Sequence, residues 1–225
     1  MSDNEEKMKI PSQWTFKDRS VADGFDRHVR EQLPWYDMAT KMVAHYGRHY
    51  IPQGGTFYDV GASTGNIGNA LRDVITSRKV HFHPIDNSPE MAERYAGPGT
   101  INIANALGFD FKAYDFATVF LCMMFMPRAE RKQWLHELVG KCRRGGAVIV
   151  FDKCEPYSGY LGVATMRLTL AAKLDAGVPA NEVMEKELSL AGVQRPVSFQ
   201  ADLFPGFREI FRFGDFAGWI YTKDD

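Results

Sequence analysis

Cysteine is scarce in this 225-residue chain: only Cys122, Cys142 and Cys154 occur, far apart. Three scattered thiols neither frame a disulfide scaffold nor supply the paired spacing of a zinc site. Long apolar runs are missing as well, and nothing approaches the roughly 20 residues that a membrane helix needs. An excess of either charge is lacking, since 27 Lys plus Arg face 28 Asp plus Glu. That balance removes the electrostatic footprint of unspecific nucleic-acid binding and leaves open only a local basic patch. The opening residues, MSDNEEKMK, contain no apolar core of a secretory signal, so a cytoplasmic location is expected. Repeats and low-complexity segments are absent. What remains is an ordinary globular composition, 45% hydrophobic and 24% charged, in a length that suits one domain with a full core.

Residues 1–15 read as a polar tail, ahead of a single domain over 16–225. Val21, Phe25, Val29, Leu33, Met38, Met42 and Tyr46 recur at helical spacing, and Pro34 divides them into two helices within residues 16–52. The pattern then alternates: strand Thr56–Val60, helix Asn66–Ile75, strand Val80–Ile85, helix Pro89–Tyr95 and strand Thr100–Ala104. Strand Ala117–Met123, helix Pro127–Cys142 and strand Ala147–Phe151 follow. Residues 158–203 are mostly helical, with Val163, Met166, Leu170 and Leu174 on one stripe, and read as a cap. Arg208–Phe213 and Ala217–Thr222, joined at Gly214-Asp215, read as a hairpin. The expected fold is α/β: a doubly wound, mostly parallel seven-stranded sheet, Rossmann-like, with N-terminal helices and a helical cap.

The most informative stretch is "YDVGASTGNIGNAL", Tyr58 to Leu71. Its spacing, Gly61-x-x-x-Gly65-x-x-Gly68 with no following lysine, matches neither the dinucleotide nor the P-loop fingerprint. Gly61-Ala-Ser63-Thr-Gly65 formally satisfies the G-x-S-x-G of a hydrolase elbow. In that fold, however, several strands precede the nucleophile and a histidine comes late. Here the loop follows the first strand, and the last histidine is His136. A third reading fits better. Asp59, two residues before Gly61, and Asp86, 21 residues beyond Gly65, make the pattern of an S-adenosylmethionine (SAM) site. Glycines let the backbone approach a cofactor, amides at the helix start meet its carboxylate, and an acid ending the second strand accepts ribose hydroxyls.

The sequence resembles the class I SAM-dependent methyltransferases and, within them, the carboxy-S-adenosylmethionine synthases, tRNA-modification enzymes that act on wobble uridine through a cofactor made from SAM and prephenate. "FDRHV", "YDVGASTG", "IDNSPEMAERY", "ERKQWL", "RRGGAVIVFDK" and the closing hairpin carry the likeness, from about Phe25 onward. The resemblance implies a cofactor site in which Tyr36 approaches from the N-terminal helices. Asp59, Gly61, Ala62, Ser63 and Gly65 form the loop, Asp86 holds the ribose with Asn87 beside it, and Asn105, Ala106, Leu107 and Cys122 complete the adenine side. Three departures stand out. Ala106 falls where the family has an acid that reads the adenine edge, Cys122 where its fourth strand has an asparagine, and Glu187 where the subfamily has its carboxylate-gripping arginine. A carboxylate there should repel a carboxylated cofactor.

The function expected is therefore SAM-dependent methyl transfer, with a small-molecule acceptor first and tRNA or another nucleic acid second. Carboxy-SAM synthesis and non-catalytic SAM binding are the alternatives, and a homodimer is compatible with all three. Tyr36, Cys122, Tyr157, Tyr160 and Glu187 are candidates to face the reacting methyl. His81 and His83 share a strand face but are too few for a metal. Lys141, Arg143 and Arg144 read as a helix C-terminus complementing its dipole.

Overall fold

The computed structural model describes residues 8–199 and 202–224. Two helices come first, α1 (Arg19–Gln32), capped by the Asp18 carboxylate accepting from Ser20 N, and α2 (Tyr36–Tyr50). The break falls at Pro34, whose ring cannot continue a helix. Strands β1 (Thr56–Val60), β2 (His81–Asp86), β3 (Asn102–Ile103), β4 (Tyr114–Phe120) and β5 (Cys142–Lys153) then alternate with α3 (Asn66–Ala70), α4 (Arg72–Ser77), α5 (Pro89–Ala92) and α6 (Arg128–Lys141). Helices α7 (Gly159–Asp175) and α8 (Ala180–Ser189) make the cap, and β6 (Phe207–Phe213) and β7 (Phe216–Thr222) make the closing hairpin.

The sheet order is β3-β2-β1-β4-β5-β7-β6. Strands β1 to β5 pair in parallel, β7 is antiparallel to both β5 and β6, and the doubly wound sheet stands as expected. Alternation along β1 sends Tyr58 and Val60 into one core and Phe57 into the other, so both faces are covered. Chain order reverses between β1 and β4, which opens a crevice beyond the carboxyl ends of these strands, where open α/β sheets place ligands.

Several boundaries differ from the sequence reading. β4 ends at Phe120, not Met123, because Leu121 takes a left-handed φ of 53° and the chain enters a 3₁₀ turn, Met123–Phe125. Buried Asp152 fixes that turn, its Oδ2 accepting from Met123 N at 2.8 Å and Met124 N at 3.3 Å. The apolar run "LCMMFM" continues past the strand, so periodicity gave no stop signal. The helix from Asn66 divides at Leu71, and β3 keeps only two residues. Residues 1–7 lie outside the described region, yet the rest of the supposed tail is docked. Trp14 is buried in a small cluster with Val21 and Leu190, and its N–H donates to Ser189 O of α8.

Candidate functional site

The chain leaves β1 at Gly61 with φ 76°, and Gly61 N and Ala62 N both donate to Ile85 O at 2.9 Å. These bonds hold the glycine loop against the end of β2. A Cβ on Gly61 would lie 2.8 Å from Cys122 Cβ and 2.9 Å from its Sγ, so a side chain is barred by φ and by space alike. Gly65, φ 96°, is required for a different reason: its Cβ would meet Gly97 backbone at 2.6 Å. Asp86 ends β2. Its Oδ2 accepts from Ser63 N at 2.9 Å and its Oδ1 from Ser88 N at 3.0 Å, while burial raises its pKa.

Above the loop lies a cavity of about 650 Å³, within the range of small-molecule and cofactor sites. Tyr36, Gly61, Ala62, Ser63, Asp86, Asn87, Asn105, Ala106, Leu107 and Cys122 all line it. Asp59 and Gly65 do not. Asp59 is buried beneath the loop, its Oδ1 accepting from Thr118 Oγ1 at 2.7 Å, and burial pushes its carboxyl up to about 7. Asn105 Oδ1 already accepts from Leu107 N at 3.1 Å, and Ala106 O from Trp134 Nε1 at 2.9 Å. Asn105 is therefore turned toward its own loop, with its amide nitrogen as the remaining side-chain donor.

The candidates for the reacting end are split. Tyr36 lines the cavity edge-on to Phe120, with burial raising its phenol pKa, so the hydroxyl stays protonated. Cys122 lines it too, and burial together with Asp152, Asp86 and Asp59 raises its thiol pKa, which leaves a neutral thiol rather than a nucleophile. Tyr157 and Tyr160, expected at the reacting end, stand apart from it: they are 50% and 78% exposed and line no part of this cavity. Glu187 lines a smaller neighbouring cavity instead, where it pairs with Lys173 at 2.9 Å and Lys153 at 3.6 Å. Its charge is matched by lysines, so the repulsion expected from sequence does not stand.

Sequence reasoning missed the aromatic wall of Phe16, Phe25, Phe120 and Phe125, and Glu130 at the start of α6. Phe25 had read only as part of a helical stripe. The hydrolase reading finds no support: Ser63 Oγ is buried and, among the described residues, meets no hydrogen-bond partner. Asp86, lining the cavity at the end of β2 beside the glycine loop, is an acid placed to accept ribose hydroxyls. The residues fit SAM.

Sheet order, glycine loop and β2 acid together define the class I SAM-dependent methyltransferase fold. Solved structures agree. The plantazolicin methyltransferase in complex with S-adenosylhomocysteine aligns with TM-score 0.60 at 11% identity, covering 92% of this chain and 90% of that one. Human N-acetylserotonin methyltransferase in complex with SAM aligns with TM-score 0.58 at 11% identity over 93% of this chain, which spans only 58% of that protein's length. A Methanococcus maripaludis protein described as a SAM-dependent methyltransferase gives 0.53 at 14% identity, covering 100% and 98%. By sequence the particular likeness is to carboxy-S-adenosyl-L-methionine synthases. The Staphylococcus epidermidis protein is 27% identical over 225 positions, 95% of this chain and 98% of that one. The Yersinia pestis protein is 24% identical over 189 positions, 80% and 70% of the two chains. No protein-family profile matches the chain.

Proposed function

We propose that the protein is a SAM-dependent methyltransferase acting on a small-molecule acceptor in the cytoplasm. The observation that carries this reading is the loop–acid cradle, Gly61 to Ser63 closed by Asp86, opening into an aromatic-walled cavity. Asp86 retains lone pairs for ribose hydroxyls, and the loop from Gly61 to Ser63 faces the methionine portion. When bound, the cofactor's sulfonium supplies a methyl group already electrophilic. The chain then has to hold an acceptor in line and exclude water. Phe16, Phe25, Phe120 and Phe125 shed water around the reacting centre. Asp86 lines the cavity at this end, while burial raises the carboxyls of Asp59 and Asp152 to about 7 and about 8, which keeps Asp152 largely protonated at neutral pH. Neutral Tyr36 orients by donating its hydroxyl, and Glu130 is a cavity carboxylate able to accept a proton from an acceptor that must lose one.

A second reading, carboxy-SAM synthesis for tRNA wobble uridine modification, is favoured by the likeness to the synthases and by the lysines that offset Glu187. Mass spectrometry of SAM after incubation with the protein and prephenate separates the two: cofactor of unchanged mass supports methyl transfer, a carboxylated product the synthase. A chain binding SAM yet inactive on every acceptor would be a non-catalytic partner. No helix among the described residues is long and apolar enough to cross a membrane. Tyr160, Leu161, Leu168 and Leu188, exposed on α7 and α8, fit self-association into a homodimer, which sedimentation equilibrium would detect.

A further inference from the structure

Helix α1 meets the cap near its C-terminal end, and the junction is polar. His28, Glu31 and Gln32 stand at i, i+3 and i+4 on α1, so they share one face. Glu182, in the first turn of α8, lies against them. His28, Glu31 and Glu182 each bring one ligand atom to within 4.8 Å of the other two. His28 is only 6% exposed, yet its Nδ1 stands 3.9 Å from Glu182 Oε1, too far for a hydrogen bond. The Nε2 of the same ring is buried with no hydrogen-bond partner among the described residues. Gln32, 5% exposed, donates from Nε2 to Glu182 Oε1 at 3.3 Å, while its Oε1 is buried and likewise unpartnered among the described residues.

A buried imidazole and a buried amide oxygen without partners, beside two carboxylates, need a physical reason. Stacking on Trp14, with ring centroids 5.6 Å apart, holds the imidazole in place. Burial, helped by Lys186, Lys173 and Arg27, holds its pKa down to about 3, so the ring is neutral, the form that binds metals. Each of those cations has its own neighbour. Lys173 pairs with Glu187, the Lys186 amine lies over the Trp14 ring, and Arg27 stands 3.8 Å from Glu31. Tetrahedral zinc sets its ligand atoms about 3.3 Å apart. Closing such a shell takes a swing of the Glu31 side chain, 46% exposed, from Arg27 toward His28. A half-turn of the Gln32 amide brings Oε1 to the side of Glu182 as a fourth donor.

We propose that His28, Glu31 and Glu182, with Gln32 as the fourth donor, form a site for a divalent transition metal of the zinc type, which clamps α8 of the cap to α1. The two glutamates match the charge of the ion, and the imidazole selects such a metal over magnesium. Phe25, one turn before His28 on α1, lines the cofactor cavity, so the clamp steadies the helix that supplies part of its wall. The site is separate from the cofactor cradle and stands whether or not the chain transfers methyl groups.

The test is titration calorimetry of the full chain with zinc and, separately, magnesium, together with amide hydrogen exchange of the zinc-bound and zinc-free protein. Expected are one zinc per chain bound far more tightly than magnesium, and slower exchange in α8 when zinc is present. Glu31→Gln and Glu182→Gln should each weaken zinc at least tenfold; Glu31 is exposed enough for its variant to fold, which circular dichroism checks. A rival surface pair, His45 and His49 on α2, has its rings 4.8 Å apart, so His45→Ala is the control and should leave zinc affinity unchanged. No zinc binding, binding indifferent to both glutamine substitutions, binding lost in His45→Ala, or preference for magnesium overturns the site. Zinc bound with unchanged exchange in α8 overturns the clamp.

Discussion

Replacing Asp59 by Asn should stabilise the folded protein strongly at pH 8 and scarcely at pH 4. Asp59 is buried on β1, with one oxygen held by Thr118 and Oδ2 without a partner among the described residues. Burial, with Asp86 nearby, lifts its carboxyl from 3.8 to about 7. Between these values the folded chain keeps a proton that the unfolded chain releases, so stability falls as pH rises through this window. The penalty is complete above pH 7 and worth about 4 kcal/mol. Asn keeps the shape and an acceptor for Thr118 and never ionises. Urea unfolding of both proteins from pH 4 to pH 8 should therefore show curves that meet near pH 4 and diverge by up to about 4 kcal/mol at pH 8. The same substitution should weaken SAM more than S-adenosylhomocysteine, because only SAM carries the sulfonium charge that an ionised Asp59 favours. Parallel stability curves across the range would refute this account of the buried carboxylates.

Gly61→Val, barred by φ and by Cys122, and Asp86→Ala, which frees Ser63 N, should each lower SAM affinity at least tenfold by calorimetry, about 1.4 kcal/mol. Lys186→Met should raise the urea midpoint at pH 7 and flatten the rise in stability with pH between 5 and 10, since the folded chain lacks a proton there that the unfolded chain holds. Arg131, fully buried and donating to Asp202 and to the carbonyls of Met124, Met126, Arg195 and Pro196, should cost about 3–5 kcal/mol when changed to Ala. Ser63→Ala should retain cofactor binding, and a serine-reactive phosphonate should leave Ser63 unlabelled in the parent protein.

The alternation of strands with helices and the glycine loop were legible because both depend on local pattern. Apolar strands alternate with helices, and Asp59, Gly61 and Asp86 stand at fixed offsets from strand ends. Long-range packing was not legible. Trp14 looked like part of a polar tail because its partners, Val21 and Leu190, are far off in sequence or on another element. Gly65 and Asp59 share the loop motif with Gly61 but support it from behind, a difference set by Gly97 and Thr118 across the fold. Glu187 misled for the same reason. An isolated acid in an alignment says nothing of Lys153 and Lys173, which neutralise it from two other elements.

The most direct test of the central claim is calorimetric titration of the purified chain with SAM, with NAD and ATP as controls. The account predicts one SAM per chain, binding at least tenfold weaker in Asp86→Ala, and no heat from either nucleotide. Failure of SAM to bind the folded protein, or equal binding in Asp86→Ala, would contradict it.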